Sequence, residues 1–253
     1  MAKGLSTLAK GLKILALFDE TRPIIDVSTI STLLNLPKST AYRYLATLKS
    51  HGLIEENGRP GHYRLGVKVL ELSWIARRHL DILNIARPVM EELAKKTQES
   101  VFLFVVHGQR AICIEGIESA HPLRLAFERG RTLFLHAGAS AKVLMAYLDE
   151  EEQDKVIREV GLPKLTKYTI TDPKNLKAEL RDIRKRGYAV SHGEVDPTTR
   201  AIGAPILDEH GKIIAGLSVA GPKHRLDEDK LKRFIPMVVE AANRIAQQLI
   251  KTG

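Results

Sequence analysis

Hydrophobic positions recur along this chain first with a helical period and then with a period of two, and the change marks out an N-terminal unit. Leu8, Leu12, Leu15 and Phe18 stand at helical spacing and predict a first amphipathic helix. Ile30, Leu33 and Leu34 predict a short second helix, with Ser28 placed to cap it. Asn35 follows, a residue that tolerates the positive φ of a tight inter-helix turn. Pro37 opens a third helix over 37–50, since its missing N–H costs nothing in a first turn. Segments 53–56 and 62–65 then read as a hairpin around the turn Gly58-Arg59-Pro60-Gly61. In its return strand Tyr63 and Leu65 face one side, His62 and Arg64 the other.

The third helix has two faces. Ala41, Tyr44, Leu45 and Leu48 form a core side, whereas Ser39, Tyr42, Arg43, Ala46 and Ser50 lie opposite, with Lys38 and Lys49 at the edge. No acid occurs between Lys38 and Gly52. Small and polar residues let a helix sit deep in a DNA major groove, where acidic ones would be repelled by phosphates. The alternative is an ordinary solvated helix face. Arg59 at the hairpin tip is weak evidence by itself, but directly behind a helix-turn-helix it reads as a wing that reaches phosphate or minor groove.

Beyond residue 66 the helical period returns in Val67, Leu70, Leu72, Ile75, Ala76 and Leu80, and again over 82–96. Segments 101–107 and 111–117 predict a hairpin around Gly108, and 123–127 a further strand. Helices are expected near 139–148, 151–160 and 176–186, and strands at 189–191, 201–207 and 212–220, with a tight turn at 208–211. A long amphipathic helix over 228–250 follows. Strands and helices mixed around hairpins indicate an α+β class rather than a parallel sheet.

Charge sharpens the N-terminal assignment. The chain of 253 residues carries a formal net charge of +9, and residues 1–80 hold +6 of it, from twelve Lys/Arg against six Asp/Glu. A polyanion partner for the first unit is the economical reading, against solubility alone. A single cysteine, Cys113, excludes an internal disulfide and fits a reducing compartment. The apolar run 14–18 is too short for a signal-peptide core of ~7–15 residues. No apolar stretch approaches the ~18 residues of a membrane span, so a cytoplasmic protein is expected.

Taken together, Leu36-Pro37-Lys38-Ser39-Thr40-Ala41-Tyr42-Arg43, Leu45, Leu48, Gly52-Leu53-Ile54 and Tyr63-Arg64-Leu65-Gly66 resemble the winged-helix half of IclR-family transcriptional regulators. The similarity continues through Glu99-Ser100-Val101, Gly187-Tyr188, Ala204-Pro205-Ile206 and Leu217-Ser218-Val219-Ala220-Gly221-Pro222. The resemblance implies a winged helix-turn-helix over 1–66, a linker helix over 67–80 and a GAF/profilin-like effector and oligomerisation domain over 81–253. It further implies a homodimer or homotetramer on a palindromic operator of double-stranded DNA. Ser39, Thr40, Tyr42 and Arg43 are the expected base-reading side chains, and Lys38, Arg59, His62 and Arg64 the backbone contacts.

For the effector the chain offers two physical signals. Small residues in 135–142 sit at a helix entrance favourable for a carboxylate, with Ser140 adding a hydroxyl, although close packing of a helix on a sheet is the more frequent explanation of such residues. Ser218 is an isolated hydroxyl in an apolar strand and requires a partner, either a ligand or backbone. Ser191, Glu194 and Ala201 are expected to border the same cavity. The resemblance implies a small, often anionic metabolite held at Leu125, Leu133, Ala139, Ser140, Ser191, Ala201, Ser218 and Ala220. Lys142 follows Ala141 where the family often has glycine, Thr198 replaces another frequent glycine, and Ala201 and Ala220 offer no polar contact.

Catalysis has little to rest on. Gly216-Leu217-Ser218-Val219-Ala220 fails the nucleophile elbow at its last position, and no paired-Cys or H-E-x-x-H motif occurs. His107, His121, His136, His192, His210 and His224 are scattered. No cofactor or metal is expected; the competing readings are a metabolite-modifying enzyme with an appended basic module, and a ligand-free dimerisation domain. The leading expectation is a ligand-responsive regulator, read as a repressor.

Overall fold

A computed structural model describes residues 5–19, 21–78, 81–122 and 129–252. The chain separates into two compact units, residues 1–80 and 81–253.

The first unit contains α1 (Leu5–Leu15), β1 (Ile25–Asp26), α2 (Val27–Leu34), α3 (Lys38–Ser50), β2 (Ile54–Glu56), β3 (His62–Leu65) and α4 (Val67–Arg78). Asp26, not Ser28, caps α2: its Oδ1 accepts the N–H groups of Ser28 at 2.8 Å and Thr29 at 3.0 Å. The reason is β1, which the sequence pattern did not predict. Its pairing of Ile25 with Tyr63 and Asp26 with His62 keeps the chain extended up to Asp26, so the helix starts earlier. Asn35 takes the left-handed conformation expected of it, with φ 49° and ψ 53°. Pro37 stands just outside α3 as its cap residue rather than within its first turn.

Ile14, Ile25, Val27, Ile30, Ala41, Leu45, Leu48, Ile54 and Tyr63 form one small core. The apolar stripe anticipated on α1 enters it only in part: Leu15 and Phe18 pack against it, but Leu8 is 63% and Leu12 55% exposed, and Ile14, outside the stripe, is fully buried. Only the last turn of α1 and the residues after it pack inward. Leu65 also departs from expectation, since it lies at the end of β3 beyond the core and is exposed. Directly after it, a Cβ on Gly66 would fall 2.2 Å from the Gly52 carbonyl oxygen, so only glycine lets the chain turn here into α4.

The second unit is built on a six-stranded antiparallel sheet in the order β6-β5-β4-β9-β8-β7. These strands are β4 (Ser100–His107), β5 (Arg110–Ile117), β6 (Thr132–Phe134), β7 (Ala189–His192), β8 (Thr199–Leu207) and β9 (Ile213–Pro222). The expected strand at 123–127 lies outside the described residues, and β6 was not foreseen. Helices α5 (Asp81–Thr97) and α9 (Glu228–Thr252) cover one face, and α6 (Ala139–Ala146), α7 (Glu150–Val160) and α8 (Pro173–Arg186) the other.

Strand parity assigns each side chain to a face. Val101 and Leu103 of β4, Ile202, Ala204 and Ile206 of β8, and Ala215, Leu217 and Val219 of β9 join α5 and α9. The alternate residues turn toward α6, and the ladder aligns them in two cross-strand rows. One row runs Ser191, Ala201, Ala220, Ser100; the next runs Ala189, Gly203, Ser218, Phe102. Helix α6 lies directly on this floor. A Cβ at Gly203 would come within 2.8 Å of the Ala139 carbonyl, and one at Gly216 within 3.1 Å of the Ser140 carbonyl oxygen.

Candidate functional sites

In the first unit, α3 buries Ala41, Leu45 and Leu48 and leaves Lys38, Ser39, Tyr42, Arg43, Ala46 and Ser50 exposed, with Thr40 half-buried. The open face is therefore the one the residue pattern selected. The hairpin is less uniformly available. Arg59 is exposed at its tip, but His62 is half-buried, and Arg64 is held 2.6 Å from the Glu55 carboxylate across the β2–β3 pair. Lys49 likewise pairs with Glu56 at 2.8 Å. A phosphate would have to displace Glu55 to engage Arg64, so Arg59 and Lys38 are the better placed backbone ligands. The Tyr42 hydroxyl lies 3.6 Å from where a Cβ on Gly61 would stand, which sets the helix face and the wing side by side.

In the second unit, a cavity of about 200 Å³ opens between α6 and the sheet. Of the expected effector residues, Leu133, Ala139, Ser140, Ser191, Ala201, Ser218 and Ala220 line it. Leu125 lies outside the described residues. Glu194 is not on the wall; it is buried behind it. Its Oε2 accepts the Gly138 N–H at 3.0 Å, and its Oε1 receives the Lys142 ammonium at 2.6 Å. Lys142 is itself only 2% exposed and also donates to Glu179 and the Val190 carbonyl, both at 3.2 Å. A buried charge needs such partners, and here they tie α6 to α8, β7 and the loop after it.

The two hydroxyls that seemed to seek partners find each other. Ser140 Oγ donates to Ser218 Oγ at 2.7 Å, both buried at the deep end of the cavity. A hydroxyl that accepts one bond still carries a proton of its own to give. Other lining residues escaped the sequence reading: Phe102, Phe104, Arg131, Val195, Asp196 and Thr199. The apolar run of β4 hides its parity in the sequence, and only pairing with β9 reveals that Phe102 and Phe104 share the face of Ser218.

His136 is buried with Nε2 3.1 Å from the Pro163 carbonyl oxygen, and burial holds its pKa below the usual imidazole value. It is thus a neutral, satisfied core histidine. His192 is exposed and 3.9 Å from Glu228. Among the described residues no three His, Cys, Asp or Glu side chains are grouped to share a metal ion. No helix among them is long and apolar enough to cross a membrane.

Residues 76–247 match the family model for the bacterial transcriptional regulator IclR C-terminal domain, and residues 7–58 match that for the IclR helix-turn-helix domain. The chain belongs to the IclR family. It is 35% identical to the HTH-type transcriptional regulator KipR of Bacillus subtilis over 96% of both chains. It is 30% identical to the transcriptional repressor IclR of Escherichia coli over 94% of this chain and 88% of that one. A solved IclR homologue from Microbacterium hydrocarbonoxydans, complexed with 4-hydroxybenzoate, superposes with a TM-score of 0.81 at 26% identity, covering 98% of this chain and 100% of that one. The first unit of this IclR-family chain is accordingly a DNA-binding helix-turn-helix domain, and the protein is a transcription regulator rather than an enzyme.

Proposed function

We propose that the protein is a cytoplasmic, ligand-responsive repressor that binds a palindromic operator as a dimer or a dimer of dimers. The observation that carries this reading is the solvent-open face of α3, which bears Ser39, Tyr42 and Arg43 and no acid. Ser39, Thr40, Tyr42 and Arg43 read base edges, Arg43 making the strongest contact, while Lys38 and Arg59 meet phosphates with His62 and Arg64 in support. An arginine fork to guanine is the commonest specific contact of this kind.

Pairing of two copies is supported by apolar side chains that the first unit leaves uncovered. Leu8 and Leu12, one turn apart on α1, and Val67 and Leu70, one turn apart on α4, are all more than half exposed, and apolar side chains left open in this way mark a contact. Helix α4 serves as the linker between a DNA-binding domain over 1–66 and an effector domain over 81–253. The effector is a small carboxylate in the α6 cavity: a cavity of roughly 150 Å³ holds benzene, so this one suits a substituted ring or a short chain. The repressor named among the relatives, and the homologue with bound 4-hydroxybenzoate, support both halves of the proposal. Ligand acts by preferring one spacing of the paired DNA-binding domains over another, since only differential affinity shifts such an equilibrium.

Footprinting upstream of its own gene, with and without small carboxylates, tests the whole. A protected palindrome that weakens with one acid is expected. Arg43→Ala should cost about 1–3 kcal/mol at the operator while sparing unrelated DNA. Equal weakening on every sequence would reassign Arg43 to phosphate contact.

A further inference from the structure

The deep end of the α6 cavity offers neutral hydroxyls, whereas its mouth carries two side chains of opposite charge. At the deep end stands the Ser140–Ser218 hydroxyl pair at the start of α6, and Glu194 is turned away from these hydroxyls to the Gly138 N–H and Lys142. At the mouth stand Arg131 and Asp196, both exposed and both on the wall. The Asp196 side chain is fixed in place. Its Oδ1 accepts the Thr198 N–H at 2.8 Å and the Thr198 hydroxyl at 2.6 Å, and its carbonyl accepts the Thr199 N–H and hydroxyl. The hydrogen bonds from Thr198 hold its carboxyl below the usual carboxylate range, so it is ionised at neutral pH. Oδ2 takes no part in the turn.

We propose that Asp196 is a specificity-determining residue of the effector cavity, one that admits monocarboxylates carrying an uncharged hydrogen-bond donor at the far end and rejects dicarboxylates. This inference rests on the reading of the cavity as the site of a small carboxylate. A ligand with its carboxylate at the deep hydroxyls places its other end beside Asp196. A hydroxyl there donates to Oδ2. A second carboxylate there meets the fixed like charge of Asp196 at the rim and finds no donor on it. A terminal methyl or ring hydrogen leaves Oδ2 with water alone.

The test uses the full-length protein and matched acids: 4-hydroxybenzoate, benzoate and terephthalate, with hydroxyvalerate, valerate and glutarate as the aliphatic set, each titrated calorimetrically at neutral pH. In at least one set the wild type should bind the hydroxy acid best, the plain acid less well and the diacid on the order of tenfold or more weakly than the hydroxy acid. Asp196→Asn retains an Oδ1 acceptor for the Thr198 N–H, so the turn survives. It should raise diacid affinity about tenfold and cut the preference for the hydroxy acid over the plain acid. Diacids binding the wild type as well as hydroxy acids, or an unchanged ranking in the variant, would overturn the role of Asp196 while leaving a carboxylate site intact. Binding of no acid to either protein would overturn the carboxylate site itself, and Asp196 selectivity with it.

Discussion

Lys142→Met removes the ammonium that the α6 layer is built around, and its effect can be worked from the geometry. The side chain is nearly isosteric, so the loss is mainly electrostatic. Of the two carboxylates it serves, Glu179 keeps Arg186 at 2.9 Å and is partly solvated. Glu194 keeps the backbone N–H of Gly138 and stays buried. Breaking a buried pair by removing one member costs about 3–5 kcal/mol, because the charge left behind is uncompensated. In a domain of this size each kcal/mol lowers the midpoint by about 2–4 °C, so scanning calorimetry should show the effector-unit transition fall by roughly 6–20 °C. Adding Glu194→Gln removes the stranded charge, and the double variant should recover part of the loss, with a coupling energy of about 0.5–3 kcal/mol. A fall below about 2 °C, or strict additivity of the two substitutions, would refute the claim that this ion pair holds α6 in place.

Three further outcomes follow from other parts of the molecule. Arg59→Ala should reduce the slope of log affinity against log salt by about one unit if Arg59 neutralises a phosphate; an unchanged slope in filter-binding titrations would remove the wing tip from the interface. Acid should weaken the first unit through two hydrogen-bonded carboxylates, Asp19 in the turn after α1 and the α2 cap Asp26. Asp19 is lowered from 3.8 to about 2 by hydrogen bonds from Thr21 and Arg22, and Asp26 is lowered by those from Thr29. The unfolded chain takes up these protons first, so their stabilisation, complete above the ordinary carboxylate range, is lost as pH falls toward 2. NMR titration should place both midpoints below ordinary values, and Asp26→Ala should cost the first unit about 1 kcal/mol at neutral pH. Gly203→Ala must force α6 off the sheet and should cost about 1–3 kcal/mol; an unchanged urea midpoint would contradict the close approach seen there.

Much of this architecture can be read from the residues, and the failures share a physical cause. The face of α3 was legible because Ala41, Leu45 and Leu48 share one side at spacings of three and four, and Asn35 because few residues accept its backbone conformation. The apolar spacing on α1 misled, since periodicity reports an apolar stripe but not whether the same subunit covers it. Ser28 lost the cap to Asp26 because β1 is two residues long, too short to leave a pattern. In the cavity, Ser218 stood out as a polar atom in an apolar strand, Ser140 as a hydroxyl at a helix entrance, and Ser191 by its place on a bordering strand. Asp196 did not, for an acid before Pro197 reads as an ordinary turn, and its position on the wall depends on contacts between distant strands. Glu194 and Lys142 looked like unrelated charges 52 positions apart until folding paired them.

The alternation along β8 and β9 has an evolutionary corollary. Residues that hold the sheet to α5 and α9 and residues that face the cavity occupy interleaved positions of the same strands, back to back. Exchanges at Ala201, Ser218 or Ala220 would therefore reshape the cavity without disturbing the aliphatic packing behind Ile202, Leu217 and Val219. A one-residue insertion, by contrast, would swap the two sets and ruin both. Divergence in this domain is thus channelled into substitution at every second position, so that the shape and polarity of the cavity can change on an unchanged frame.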